Sequence, residues 1–231
     1  MITEPARADP AVVGGELATR LTVRASSDAG DDQLTYTWSA DPGAPGPVVF
    51  SANAGLAARE TSVRFRNSGN YLLRVSVRDP SGRAVESSVA VRVEPTYASW
   101  LYEHFDPAII ADVSLRASQW GDLADPDGDG IANLLEYAFG GDPLVASPDT
   151  RPRTHFVTED GIEYLAVTFR PNPGAVDLLF EPQLSSDLET WEGGAVFVPG
   201  VDERVVTYRD FAPAAAHQRR FIRVQVSQPL R

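Results

Sequence analysis

Residues 68–93 read SGNYLLRVSVRDPSGRAVESSVAVRV, and this stretch predicts the fold of the N-terminal half of the chain. On either side of the turn sequence DPSG, apolar residues recur at every second position and alternate mostly with polar ones. A period of two places successive side chains on opposite faces of a β-strand. The apolar positions are Tyr71, Leu73, Val75, Val77, Val89, Val91 and Val93. The stretch therefore predicts two antiparallel strands, each with one apolar face.

Shorter runs before this stretch repeat the alternation. They are separated by SSDAGDD, ADPGAPGP and NSGN, which are rich in the residues that favour turns. The apolar positions are Leu21, Val23, Ala25, Leu34, Tyr36, Trp38, Val63 and Phe65. Strands with one apolar face must bury that face against a second sheet. We therefore predict an Ig-like β-sandwich as the first domain, residues 1–95.

The sequence LTYTW at residues 34–38, followed by residues 68–93, resembles PKD-type (polycystic kidney disease repeat) Ig-like domains. The resemblance covers about residues 15–95, and the WDFGDG variant of the signature is absent. It implies a spacer or interaction module and no catalysis.

Charge is unevenly distributed along the 231 residues, whose net charge is −12. The balance of arginine against aspartate and glutamate is −1 for residues 1–95, −9 for residues 96–150 and −2 for residues 151–231. Concentrated negative charge argues against nucleic-acid binding and favours a cation site in the middle segment. The N-terminal sequence has no signal-peptide pattern, and no apolar run is long enough to span a membrane.

The composition removes several classes of enzyme. Cysteine and lysine are absent, which excludes disulfides, a thiol nucleophile and a lysine Schiff base. The three histidines have no metal-ligand spacing, and the HExxH, GxSxG and phosphate-loop motifs are missing. We predict that the chain is not an enzyme, although a glycosidase needs only two carboxylates and stays open as an alternative.

The acidic stretch DPDGDGIANLLEY, residues 125–137, matches the D-x-D-x-D-G-x5-E pattern of an EF-hand-type calcium loop. A curled loop directs alternate side chains inward, and calcium takes six to eight oxygen ligands. The predicted ligands are the side chains of Asp125, Asp127, Asp129 and Glu136, the carbonyl of Ile131, and Asn133 through a water. Magnesium suits the pattern less, because it prefers fewer protein ligands. The alternative is a solvated acidic turn.

Helical spacing flanks this loop. TYASWLYEHF places Tyr97, Trp100, Leu101 and Phe105 on one face, and a second apolar helix is expected to end at Gly140. The preceding SLRASQWGDLA is a poor incoming helix, and no second loop exists, so a paired EF-hand is not expected. We predict that residues 96–150 form a helical, acidic connector.

The sequence DPDGDGIANLLEYAFGGDP resembles the thrombospondin type-3-like calcium motifs of secreted bacterial proteins. The resemblance carries over Asp125, Asp127, Asp129 and Glu136 as ligands and leaves the role of Asp142 open. Together with LSSDLETW and RRFIRVQV, it extends over residues 96–231 to the C-terminal regions of large secreted Verrucomicrobia-like proteins. That likeness implies a position at the end of a long, secreted or cell-surface polypeptide.

Residues 153–228 return to strand-like runs: YLAVTF, VDLLFEP, AVFVPG, RVVTYRD and RRFIRVQV. They predict a C-terminal β-sandwich over residues 151–231. The complete prediction is a mainly β chain of two antiparallel sandwiches joined by a short calcium-binding connector.

Two function hypotheses follow from this reading. The first is a non-catalytic, calcium-stabilised structural or interaction region of a larger protein. The second is a carbohydrate-binding accessory module of a polysaccharide-degrading enzyme, with Trp191 or Trp120 as a stacking platform for a sugar ring. A buried structural role for both tryptophans is the alternative. The expected partners are the rest of the parent polypeptide and polysaccharide or cell-surface components.

Overall fold

The structure is a computed structural model that describes residues 1–229, so the last two residues of the predicted segment 151–231 lie outside it. The chain divides into two compact units, residues 1–103 and the residues from His104 onward. The three-part division at residues 95 and 150 stays a prediction.

The first unit consists of two four-stranded sheets, in the orders β1-β3-β6-β5 and β2-β8-β7-β4. All of its strand pairs are antiparallel except β2 with β8. The strands are β1 (Ile2–Asp9), β2 (Val12–Val13), β3 (Ala18–Ala25), β4 (Thr35–Ala40), β5 (Val49–Phe50), β6 (Glu60–Arg64), β7 (Gly69–Arg78) and β8 (Ala84–Val93). Short 3-10 turns lie at Asp31–Gln33 and Leu56–Arg59.

The two sheets close on one core, which confirms the predicted Ig-like sandwich. Every predicted inward position on β3, β4, β6 and β7 is buried in a single apolar cluster. Trp38 is part of it, and its indole nitrogen donates to the Ala58 carbonyl oxygen at 2.8 Å. The strands that the sequence did not reveal are β1, β2 and β5. They lie at sheet edges, where β1 carries Pro5 and charged residues and the other two are only two residues long.

The helix α1 (Tyr97–His104) follows β8 as the spacing predicts, and Tyr97, Trp100 and Leu101 are buried. Its start is capped reciprocally: Thr96 N–H donates to Ser99 Oγ at 3.0 Å, and Ser99 N–H donates to Thr96 Oγ1 at 3.3 Å. This arrangement satisfies N–H groups that have no partner inside the helix.

The second unit begins with short helical segments. The helix α2 (Pro107–Ala111), which the sequence analysis did not predict, is capped by the Asp106 side chain. A 3-10 turn (Val113–Leu115) and a π-helical turn (Arg116–Trp120) precede the acidic loop, which agrees with the poor incoming helix. The helix α3 (Asn133–Phe139) leaves the loop and ends at Gly140, whose φ of 77° is left-handed, as predicted.

The rest of the second unit is a smaller β-sandwich. A four-stranded sheet has the order β12-β13-β10-β9, and β11 pairs with β14 in a second sheet. The strands are β9 (Arg153–Glu159), β10 (Ile162–Phe169), β11 (Leu179–Ser185), β12 (Val196–Val198), β13 (Val206–Arg209) and β14 (Phe221–Ser227), with 3-10 turns at Pro148–Thr150 and Ala214–Ala216. Val167, Leu184 and Ile222 form a buried cluster between the two sheets. The edge strand β9 was not predicted, because RTHFVTE is polar and mostly exposed.

An aromatic cluster joins α3 to this sandwich. The ring centroid of Phe139 lies 5.9 Å from that of Phe169 and 6.0 Å from that of Phe180. The rings of Phe169 and Tyr208 stack at 6.4 Å. The helix that carries Glu136 is therefore built into the core of the second unit.

Candidate metal centre

The acidic loop is curled by hydrogen bonds from its own backbone. Gly128 N–H donates to Asp125 Oδ1 at 3.0 Å, and Gly130 N–H donates to Asp125 Oδ2 at 2.9 Å. The φ angles of Gly128 and Gly130 are 75° and 85°, which favour glycine strongly over residues with a Cβ. The two glycines therefore allow the tight curl that the sequence pattern requires.

The next two aspartates continue this curl. Asp129 N–H donates to Asp127 Oδ1 at 3.0 Å, and Ile131 N–H donates to Asp129 Oδ1 at 2.8 Å. One carboxylate oxygen from each of Asp125, Asp127 and Asp129 lies within 4.8 Å of the others. At an effective dielectric of ~20, two carboxylates about 5 Å apart repel by roughly 3 kcal/mol. The loop therefore concentrates negative charge that its own hydrogen bonds only partly offset.

Glu136, on α3, is the fourth predicted carboxylate, and it is not part of the group in which the three aspartates lie within 4.8 Å of one another. Its side chain is 1% exposed, and neither carboxylate oxygen has a hydrogen-bond partner among the described residues. Burial, together with the negative charges of Asp129, Asp127, Asp142 and Asp125, raises the pKa of Glu136 to about 7. A buried carboxylate without partners is expensive unless a cation or a proton compensates it.

The segment after α3 closes against Glu136. A Cβ built on Gly141 would lie 1.4 Å from Glu136 Oε2, so no larger residue fits there without moving the carboxylate. Asp142 follows; its N–H donates to Ser147 Oγ at 3.2 Å, and its Oδ1 accepts from Leu144 N–H at 3.0 Å. Gly141 is thus a site residue that the sequence analysis missed, and GGDP was the signal that could have indicated it.

Asn133 has a clear structural role in addition to its predicted one. Its amide nitrogen donates to the carbonyl oxygens of Gln119 and Gly121 at 2.8 and 3.0 Å, which fastens the start of α3 to the preceding turn. Its Oδ1 is buried and has no hydrogen-bond partner among the described residues. The side chain of Ile131 is also buried, so it contributes to packing while its carbonyl stays the predicted ligand.

Two residues beyond the loop also bind Asp129. Ser147 N–H donates to Asp129 Oδ2 at 2.7 Å. The Arg151 guanidinium donates to the Asp129 carbonyl oxygen and lies 4.0 Å from Asp129 Oδ1. Both residues lie just before β9, so Asp129 ties the loop to the first strand of the sandwich. Nothing in the sequence pattern signalled these contacts.

The helix α3 is fixed on its other side by polar contacts. The Tyr137 hydroxyl lies 2.6 Å from Asp177 Oδ1 and 2.9 Å from the Gly174 carbonyl oxygen. Asn172 Nδ2 donates to the Tyr137 carbonyl oxygen at 2.9 Å. The backbone that carries Glu136 is therefore held in place by the 172–177 segment.

The chemistry of the donor atoms indicates which kind of metal ion they suit. The candidate donors are all oxygens, and Asp127 Oδ2, Asn133 Oδ1 and both oxygens of Glu136 are buried without hydrogen-bond partners among the described residues. Hard divalent cations prefer oxygen ligands, whereas zinc and copper favour histidine or cysteine. The residues present therefore fit a hard divalent cation.

The two candidate platform tryptophans, Trp120 and Trp191, are both half-buried. Trp191 Nε1 donates to the Leu188 carbonyl oxygen at 3.2 Å, and the Arg223 guanidinium carbon lies 4.0 Å from the centre of the Trp191 ring. Trp120 Nε1 donates to the Asp112 carbonyl oxygen at 3.0 Å, with the Arg116 guanidinium 5.5 Å from its ring. Each indole is thus anchored at its nitrogen and has an arginine over its ring.

In the described part of the chain, no helix combines the length and apolar character needed to cross a membrane.

No family model matches the chain, but its sequence is similar to that of a known protein. Chitinase A of Pseudoalteromonas piscicida is 28% identical over 188 residues, which make up 78% of this chain and 22% of that protein. The chain thus spans about a fifth of the length of this relative.

The solved structures that are similar to this chain include three with TM-scores below 0.5. The PKD domain of the KIAA 1837 protein is 25% identical, with 36% of this chain and 76% of that chain covered and a TM-score of 0.28. Cadherin domains 3–6 of protocadherin gamma B2 are 10% identical, with coverages of 99% and 46% and a TM-score of 0.34. The titin fragment I67–I69 is also 10% identical, with coverages of 90% and 54% and a TM-score of 0.31. The fold assignment therefore rests on the sheets described above.

Proposed function

We propose that this chain is a non-catalytic, calcium-stabilised structural or interaction region of a longer secreted or cell-surface bacterial protein. The observation that carries the proposal is the Glu136 carboxylate, which is buried, lacks hydrogen-bond partners among the described residues and faces the charges of three loop aspartates. A solvated acidic turn would instead direct its carboxylates toward water. Calcium is favoured over magnesium because the predicted ligand set has six residues, whereas magnesium prefers fewer protein ligands.

The donors would be those predicted: Asp125, Asp127, Asp129, the carbonyl of Ile131, Asn133 and Glu136. A bound calcium ion would supply positive charge that offsets the repulsion and the burial of these carboxylates. Asp129 would then keep Ser147 and Arg151 in place before β9, and Glu136 would fix the position of α3. The ion would thus stabilise the second unit, since both attachments lie within it.

The lack of cysteine and lysine and of recognisable catalytic motifs supports a non-catalytic role. The match to 22% of a longer relative supports a place within a larger polypeptide. Extracellular calcium modules bind with dissociation constants of roughly 10⁻⁴–10⁻³ M and sensors near 10⁻⁵ M or below. A calcium titration of the chain therefore shows whether its affinity lies in the range of extracellular modules.

The proposal is tested by limited proteolysis of the full chain in calcium and in EDTA. The double variant Asp125→Asn/Asp127→Asn should be cut in the second unit equally fast under both conditions, whereas the parent chain should be protected by calcium. A matched control is Asp28→Asn/Asp32→Asn, which removes two exposed acids from a turn of the first unit. Calcium protection that survives in the loop variant would refute the proposal.

A second candidate function is a carbohydrate-binding accessory module of a polysaccharide-degrading enzyme. Its support is the name of the relative, Chitinase A, together with the anchored indole of Trp191. Affinity electrophoresis in gels that contain soluble chitin derivatives, neutral glucans or acidic polysaccharides tests it. Retardation that Trp191→Ala abolishes would support the module, and the absence of retardation in every gel would remove this candidate.

A further inference from the structure

A cleft of about 380 Å³ lies next to the acidic loop in the second unit. Its floor is apolar and is formed by Phe139, Phe169 and Val205. Its rim carries three arginines, two threonine hydroxyls and one aspartate carboxylate. These rim residues, which define the arginine cleft, are Arg151, Arg153, Arg170, Thr150, Thr168 and Asp149. Binding sites for small molecules typically have a volume of roughly 300–1,000 Å³, a mostly apolar lining and a few convergent polar groups.

Each rim arginine lies close to an aspartate, yet it can also contact a ligand. Arg153 Nη2 lies 3.1 Å from Asp149 Oδ1, and Arg170 Nη2 lies 3.2 Å from Asp202 Oδ2. The arginine side chains are 72% and 59% exposed, and exposed pairs of this kind contribute little to stability. A guanidinium has five N–H donors in a planar fork, so donors remain for a ligand.

We infer that the arginine cleft binds an acidic sugar unit of a polysaccharide, through its carboxylate or sulfate group. The lining has three arginines against one aspartate, and this excess of positive charge favours an anionic ligand. Planar forks match the geometry of such oxyanions, the threonine hydroxyls can bind sugar hydroxyls, and the apolar floor can contact the C–H face of a ring. The choice of a sugar rests on the second candidate function above.

The cleft shares Arg151 with the candidate metal centre. The Arg151 guanidinium donates to the Asp129 carbonyl oxygen and lies 4.0 Å from Asp129 Oδ1.

The test is calorimetric titration of the full chain with three tetrasaccharides: unsulfated chondroitin, chondroitin sulfate and neutral chitotetraose. Saturable binding of either acidic probe but not of chitotetraose is expected, and the two acidic arms decide between carboxylate and sulfate. Arg153→Gln and Arg170→Gln should each weaken binding by about tenfold, the loss expected for one charge-assisted contact. Arg170→Lys should recover only part of this, because lysine lacks the fork.

The matched control is Arg78→Gln, which removes an exposed arginine from β7 in the first unit and should leave binding unchanged. Each titration is run in calcium and in EDTA, alongside a separate titration with calcium alone. Equal binding of the neutral probe, no binding of either acidic probe, or binding insensitive to Arg153→Gln and Arg170→Gln would overturn the inference. Calcium binding without acidic-sugar binding would refute the cleft alone, whereas no calcium binding would refute the calcium proposal.

Discussion

The two compact units differ in how their interiors are stabilised. Among the described residues, the first unit buries 21 apolar residues and exposes four large ones, whereas the second buries 13 and exposes 13. The second unit also contains the Glu136 carboxylate, which is buried without hydrogen-bond partners in the described residues. The first unit can therefore rely on apolar burial alone, but the second has a smaller core and an uncompensated buried charge. This contrast predicts that calcium dependence is confined to the second unit.

Removing the buried carboxylate should give the largest effect. With calcium at about 1,000 times its dissociation constant, ion binding stabilises a protein by roughly 4 kcal/mol. Glu136→Gln should lose most of this, yet in EDTA at pH 8 it should be more stable than the parent chain, because its side chain is neutral. Thermal melts in calcium and in EDTA measure both. If the variant is less stable than the parent chain both in calcium and in EDTA, the charge of Glu136 does not destabilise the calcium-free second unit.

Acidification should stabilise the calcium-free second unit. The pKa of Glu136 is about 7 when folded and 4.5 ordinarily, so the folded state binds the proton more tightly. The stabilisation that this proton provides is complete below pH 4.5 and is lost as the pH rises through 7. The free energy of unfolding should fall by about 3 kcal/mol over this range. Urea unfolding in EDTA between pH 4.5 and 8 measures it. Glu136→Gln is the control and should remove most of this slope, and an unchanged slope would contradict the assignment.

A cavity created in the first unit should destabilise that unit alone. Leu73→Ala truncates a fully buried side chain on β7 and should cost roughly 2–5 kcal/mol. Two melting transitions are expected, and this variant should lower the calcium-insensitive one. The size of the calcium-induced shift in the other transition should stay as in the parent chain. A reduced shift would mean that the two units do not unfold separately.

The polar contacts that fix α3 should stabilise the second unit less than the bound ion does. Tyr137→Phe removes a hydroxyl that lies 2.6 Å from Asp177 Oδ1, which should destabilise the second unit by about 1–2 kcal/mol. Calcium affinity should fall only slightly, since the loop donors are untouched. Chemical unfolding and a calcium titration of the same variant separate the two quantities. A large loss of affinity with little loss of stability would place Tyr137 in the ion site.

The sequence predicted the first sandwich well because its strands have one buried face and a clear period of two, as in β7 and β8. It missed β1 and β9, edge strands whose side chains are mostly polar or exposed and leave no such period. The acidic loop was recognisable from the spacing of Asp125, Asp127 and Asp129. The contacts of Gly141 and Arg151 were not, because they depend on how distant segments pack around the loop.

The most direct test of the central claim is a calcium titration by calorimetry on the EDTA-treated chain, with thermal melts before and after saturation. We predict saturable binding of one ion per chain and an upward shift of the second unit's transition by roughly 10 °C, with the first unit's transition unchanged. No binding at millimolar calcium, or an equal shift of both transitions, would contradict the claim that calcium stabilises the second unit.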